Sequence, residues 1–99
     1  MQALARANRV RLARAELKRS IARGETEVSE VVRACPWQTE SMTLAELLTS
    51  QRRWGRTRAR KFLLGLSLSE NKRLGTLTPR QRALLSTELA TKTRDTVLV

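Results

Sequence analysis

The sequence predicts an all-α fold, with a long basic N-terminal helix followed by a small helical domain. Three observations carry that expectation. Apolar residues recur at helical spacing along the chain and are bounded by capping residues. No run of strand character longer than a few residues precedes Val97. The apolar content is 40% of 99 residues with only three aromatics, Trp37, Trp54 and Phe62, so Leu, Val and Ala must build the core. A chain of this length makes one small domain and buries a modest part of its surface. The expected organisation is a basic helix over 1–24, a helical domain over 25–92 and a tail over 93–99.

The first helix reads from "ALARANRVRLARAELKRSIARG", rich in helix formers with no internal Gly or Pro. Ala3, Ala7, Val10, Leu17 and Ile21 form a narrow apolar stripe, and Gly24 ends the helix in the C′ position. Arg11, Arg14 and Lys18 share a face away from that stripe, either a solvated surface or a contact for nucleic acid. "ETEVSEVVRACP" gives a second helix with Val28, Val31, Val32 and Cys35 on one face, stopped by Pro36. "WQTESM" is a connection in which Trp37 is expected in the core.

"TLAELL" opens with Thr43 three residues before Glu46, a capping box, and turns Leu44, Leu47 and Leu48 inward. Gly55 supplies a turn, after which "RTRARKFLLGL" is helical. Its buried side is Ala59, Phe62, Leu63 and Leu66, with Arg56, Arg60 and Lys61 elsewhere. "SLSENKRLGTL" is a polar loop with one short helical turn. In "TPRQRALLSTELA", Thr78 is the N-cap, Pro79 sits at N1 and Gln81 at N3, and Leu84, Leu85 and Leu89 face inward.

Charge narrows the function. Sixteen Arg and four Lys against nine acids give +11. A field of that sign favours polyanions, nucleic acid or an anionic membrane surface, and Arg adds forked phosphate contacts. Residues 1–24 carry a net +6, 25–50 a net −4, 51–82 a net +9, and 83–99 balance. The pattern implies two binding faces, or one face assembled from two segments. No apolar run approaches the roughly 20 residues of a membrane span, and no signal-peptide stretch opens the chain. Cys35 is alone, which excludes an internal disulfide and suits a reducing cytoplasm.

Chemistry is sparse. There is no histidine, no Gly-rich nucleotide loop, no Cys/His cluster and no nucleophile elbow. A binding protein rather than an enzyme is expected, with no catalytic residue, cofactor or metal. The segment "QRRWGRTRARK", residues 51–61, is the strongest signal. A helix stops, a glycine turns the chain, and a new helix presents free N–H groups and the positive end of its dipole. Arg52, Arg53, Arg56 and Arg58 surround that start, so a phosphate fits there, although a basic turn is also compatible with plain solvation. Trp54 either packs against Phe62 and Leu47, the preferred reading, or lies against a sugar or base.

From Ser41 to Leu89 the chain resembles the C-terminal half of the actinobacterial (mycobacterial-type) integration host factor. The basic helix with "ARAELKRSIARGETEVSEVV" also follows that family's pattern. The family has a long N-terminal helix and a helix-two-turns-helix motif, shared with a small-subunit ribosomal protein and some DNA glycosylases. Its turn is usually "LPGVGK-x-RA". Here Gly55 matches the second glycine, Arg56 the lysine, and Arg58-Ala59 the Arg-Ala pair, while Arg52, Arg53 and Trp54 replace the preceding residues. The family's basic "RRVRG" turn is matched by Lys72 and Arg73, with Gly75 in place of the third cation and Arg80 or Arg82 as its replacement.

The resemblance implies sequence-tolerant binding of double-stranded DNA with bending or bridging, in nucleoid organisation or as an accessory to site-specific recombination. The implied partners are duplex DNA and an integrase or recombinase, the chain is expected to be a monomer without DNA, and no membrane partner is expected. The expected location is the cytoplasm, with the nucleoid. The expected DNA contacts are Arg52, Arg53, Trp54, Gly55, Arg56, Thr57, Arg58, Lys72, Arg73 and Arg80, with Arg11, Arg14 and Lys18 as a second contact. Two alternatives stand beside this: an RNA-binding or ribosome-associated protein with the same motif, and an interaction module whose acidic segment 25–50 binds a recombinase or another copy.

Overall fold

The computed structural model describes the backbone of residues 2–98 and the side chains of residues 3–92. Within them are α1 (Gln2–Ala22), α2 (Val28–Ala34), α3 (Leu44–Thr49), α4 (Arg56–Gly65) and α5 (Pro79–Leu98), with 3₁₀ turns at Trp37–Thr39 and Leu74–Thr76. No strand occurs among the described residues, and a single isolated bridge joins Thr43 to Arg73. The all-α expectation holds.

The helix α1 ends as its glycine predicts. Gly24 has φ 78°, its N–H reaches the Ile21 carbonyl, and the Glu25 N–H reaches that of Ser20, both at 3.0 Å. This is a Schellman closure. Only the C-terminal part of the helix is seated. Ile21 is buried and Leu17 half-buried, whereas Ala3 and Ala7 of the predicted stripe are exposed. Alanine offers too little area to hold a helix down. Long polar side chains do it instead: Arg14 Nε donates to the Gln38 carbonyl at 3.0 Å and its guanidinium reaches Ser41 Oγ, while Lys18 Nζ pairs with Glu46 at 2.6 Å. Arg14 and Lys18, expected on a face away from the apolar stripe, therefore help anchor the helix beside Leu17 and Ile21.

The short helix α2 buries Val28, Val31 and Val32 against α5. Polar bonds tie the pair: Ser86 Oγ donates to the Ser29 carbonyl at 2.9 Å, and Arg82 donates to the carbonyls of Val32 at 2.8 Å and Leu74 at 3.2 Å. Arg82 is thus a structural cation. Trp37, expected in the core, is 54% exposed. A three-residue 3₁₀ turn sends only one side chain inward, and Thr39 takes that place, fully buried with its hydroxyl on the Pro36 carbonyl at 2.7 Å.

In α3, Leu44, Leu47 and Leu48 are fully buried. Thr43 caps the helix by accepting from Glu46 N–H, but the Glu46 carboxylate turns to Lys18 instead of back to Thr43. The segment 70–75 runs beside 40–45, and its carbonyls accept from the first N–H groups of α3: Leu44 N–H donates to the Lys72 carbonyl at 2.9 Å and Ala45 N–H to that of Glu70 at 3.0 Å. Gly75 makes the approach possible, since a Cβ there would stand 2.9 Å from the Glu40 carbonyl oxygen. Met42, Leu68, Leu74 and Leu77, all in connections, complete the core.

At the end of α4, Ser67 adopts φ 58°, with Leu68 N–H on the Leu63 carbonyl and Ser67 N–H on that of Leu64. It is a second Schellman closure, made without glycine. The helix α5 starts with a complete capping box: Gln81 N–H to Thr78 Oγ1 at 3.1 Å and Thr78 N–H to Gln81 Oε1 at 3.0 Å. Leu85 and Leu89 are buried, but Leu84 is 43% exposed, because Ser86 on the other flank completes the stripe that meets α2. The helix runs on to Leu98, through the segment expected as a tail. Nothing in "TKTRDT" breaks a helix, although threonine favours one weakly.

Candidate nucleic-acid interface

The N-termini of α3, α4 and α5 differ in what covers them. Loop carbonyls and Thr43 take the first N–H groups of α3, and Thr78 caps α5. The helix α4 starts at Gly55 with no side-chain cap, and the first of its N–H groups to find a backbone partner is that of Ala59, on Gly55. The N–H groups of Arg56, Thr57 and Arg58 are left for an acceptor from outside, at the positive end of a ten-residue helix. Gly55 has φ −87°, an ordinary extended conformation, and a Cβ there would meet nothing within 4 Å. The tight turn expected to need this glycine does not need it, so what glycine supplies is an unobstructed approach to those N–H groups.

Arg52, Arg53, Arg56, Thr57 and Arg58 are all exposed around this start. Arg58 stacks on Trp54, with the guanidinium carbon 4.4 Å from the ring centroid. Trp54 in turn meets Phe62 edge-on, with centroids 5.2 Å apart at 85°. Packing against Phe62 is thus as expected. The arrangement also holds Arg58 in place by a cation–π contact. Arg52, Arg53, Trp54 and Arg58 line one hollow together with Arg23, in the turn that follows α1, and Lys92 of α5. Sequence reasoning assigned no role to those last two, and only the block charge of residues 1–24 hinted at Arg23.

Lys72 and Arg73 stand at the other end of α3, a helix about 9 Å long at six residues. Arg73 donates to the Ser41 carbonyl, and Arg14 of α1 reaches the hydroxyl of the same serine. The two basic blocks therefore adjoin twice, at Ser41 and around the hollow beside Arg23. One surface assembled from two segments is what the chain builds. Arg14 and Lys18 are held by contacts inside the protein, while Arg11 is exposed beside them. Arg80 is exposed on the first turn of α5 and shares none of these contacts.

Carboxylates are kept out of the way. Glu25 pairs with Arg23 at 3.0 Å, Glu46 with Lys18, and Glu70 with Arg60 at 3.2 Å. The hydrogen bond from Arg19 and then its charge hold the Glu16 carboxyl below the usual carboxylate range. Glu70, the one acid in 51–82, is thereby neutralised. Arg52, Arg53 and Arg56 have no ion-pair partner among the described residues. Among the described residues there is no cluster of metal-binding side chains, and no helix is long and apolar enough to cross a membrane.

No family model and no curated protein matches the chain. Among solved structures it is similar to sIHF, in a structure of that protein bound to an 8-bp palindromic DNA. The TM-score is 0.76 at 28% sequence identity, over 86% of this chain and 98% of that one. The five helices thus follow an architecture of the integration-host-factor type seen in sIHF.

Proposed function

We propose that this chain is an architectural, largely sequence-tolerant double-stranded DNA-binding protein and a relative of the actinobacterial integration host factors. The observation that carries it is the uncapped start of α4, ringed by exposed arginines, in a fold like that of a protein whose structure holds DNA. A phosphate would sit on the N–H groups after Gly55, as anions do at helix N-termini. Arg52, Arg53, Arg56 and Arg58 would follow the backbone on either side, with Thr57 at the helix start and Trp54 buttressing Arg58. Lys72 and Arg73 would extend the contact across the second turn of a helix-two-turns-helix motif, with Arg80 at its margin. Such contacts go to phosphates and carry little sequence information. A surface built from α1 and the motif together would hold DNA in a bent path or bridge two segments. That suits nucleoid organisation, or an accessory role beside an integrase or recombinase, for a protein that is monomeric until it meets DNA and works in the cytoplasm on the nucleoid.

The test is the salt dependence of binding to unrelated duplexes. Neutralising roughly six phosphates gives a log–log slope of about −5. Arg53→Ala should lower the affinity for all duplexes alike. A flat salt response rejects the proposal, and preference for a structured RNA over duplex DNA in competition would move it to RNA.

A further inference from the structure

Between α4 and α5 lies a groove of about 750 Å³, within the size range of small-molecule sites. Its apolar surface comes from Trp54, Phe62 and Leu66. Cations stand along it, Arg58 and Lys61 from α4 and Lys92 from α5, and Glu88 is the one acid on its walls. The groove is polarised. Trp54, Arg58 and Lys92 also line the hollow that holds Arg52 and Arg53, so two of its three cations stand where the two depressions meet, with Lys61 farther along. Glu88 is one helical turn before Lys92 and, like Lys61, Phe62, Gly65 and Leu66, lines the groove but not the hollow.

Gly65 adds an independent observation. It lies in the last turn of α4, it does not have positive φ, and a Cβ there would meet nothing within 4 Å. Neither backbone nor packing calls for glycine, and in a helix interior glycine is less stable than alanine. The left-handed position that would reward it is two residues on, at Ser67. What Gly65 does is leave the apolar end of the groove open.

We propose that this groove binds a nucleoside polyphosphate, with its phosphates at the Trp54 end and its base at the Phe62 end. The cations match the phosphates. Phe62, Leu66 and the bare Gly65 backbone accept a flat ring, and the Glu88 carboxylate accepts a hydrogen bond from an amino or hydroxyl donor, which a plain polyphosphate lacks. Because Arg58 and Trp54 belong both to the groove and to the start of α4, the nucleotide and duplex DNA compete. The competition, though not the binding, rests on α4 being the DNA phosphate grip.

The test uses the full chain carrying Trp37→Phe, so that Trp54 is the only tryptophan. Calorimetry and Trp54 emission follow titrations with ATP, inorganic tripolyphosphate and adenosine, without divalent metal or DNA. ATP should saturate one site, quench Trp54, and bind about tenfold more tightly than either fragment. Gly65→Leu fills the groove with a better helix former and should weaken ATP about tenfold while sparing tripolyphosphate. Glu88→Gln should weaken ATP and leave tripolyphosphate no weaker, which tests the base end without relying on the Gly65 variant. Equal affinity for ATP and tripolyphosphate, or ATP binding indifferent to both substitutions, overturns the site. ATP should also release bound duplex from the parent protein, with about tenfold more ATP needed for Gly65→Leu, and ATP that binds without releasing duplex refutes the competition. Failure to bind duplex at all would refute the DNA proposal instead, and the DNA-free titrations would still decide the groove.

Discussion

Two residues show local stability and binding pulling apart. Gly55 occupies the N-cap of α4, a position where serine stabilises a helix by accepting from its first N–H groups. Gly55→Ser should raise stability by a few tenths of a kcal/mol, read as a higher melting temperature. It should also weaken duplex binding several-fold, because the new hydroxyl takes the N–H groups a phosphate would use; unchanged binding would remove the α4 start from the interface. Ser67 is the opposite case. It adopts a left-handed φ of 58° that glycine would adopt without strain while keeping the same backbone closure, so Ser67→Gly should stabilise the fold by about 0.5 kcal/mol in urea titrations and leave binding as it was. The sequence marks Gly24 and Gly75 as turn or loop glycines, and the backbone agrees. It gives no sign that Gly55 and Gly65 are conformationally unnecessary or that Ser67 bears the strain, because dihedral demand does not follow from residue type alone.

The helices with strong caps were legible as elements. Thr78, Pro79 and Gln81 define the start of α5, and the alternation of Leu44, Leu47 and Leu48 defines the inner face of α3. What escaped was everything decided by long-range partners. Met42, Leu68, Leu74 and Leu77 lie in connections without period, yet they are buried because 70–75 folds back onto 40–45. The α1 face was misassigned for a related reason. Periodicity ranks residues by apolarity and does not see that Arg14 and Lys18 find acceptors at Gln38, Ser41 and Glu46. Arg14→Ala should therefore loosen α1 as an element. Amide exchange over residues 10–18 should speed about fivefold, an opening energy lowered on the order of 1 kcal/mol, while the α3 to α5 core keeps its protection. Uniform destabilisation would mean that α1 is not separately hinged on this contact.

At the scale of the molecule, the sorting of charge into blocks carried much of the function, and the fold gives it a reason. A body of 48 × 28 × 23 Å brings the C-terminal end of α1 to the turn before α4 and the middle of α1 to the turn before α5, so that residues distant in sequence form one basic surface. The acids of the middle segment were legible as a block, but their partners were not: Glu46 reaches back to Lys18 of α1 and Glu25 to Arg23 just beyond it, and each holds its cation in place. Trp54 was left open by sequence because an aromatic in a basic turn is equally at home in packing and in stacking. The contacts with Arg58 and Phe62 show it joining the basic rim to the core.

The exposed arginines before α4 have an evolutionary corollary. Arg52, Arg53 and Arg56 are exposed and have no ion-pair partner among the described residues, while Leu44, Leu47, Leu48 and Leu63 of α3 and α4 are buried. Substitutions at those three positions leave folding nearly untouched, since surface changes away from caps and cores usually cost less than about 0.5 kcal/mol. Affinity for nucleic acid is then free to drift by one cation at a time without the lineage passing through an unfoldable ancestor.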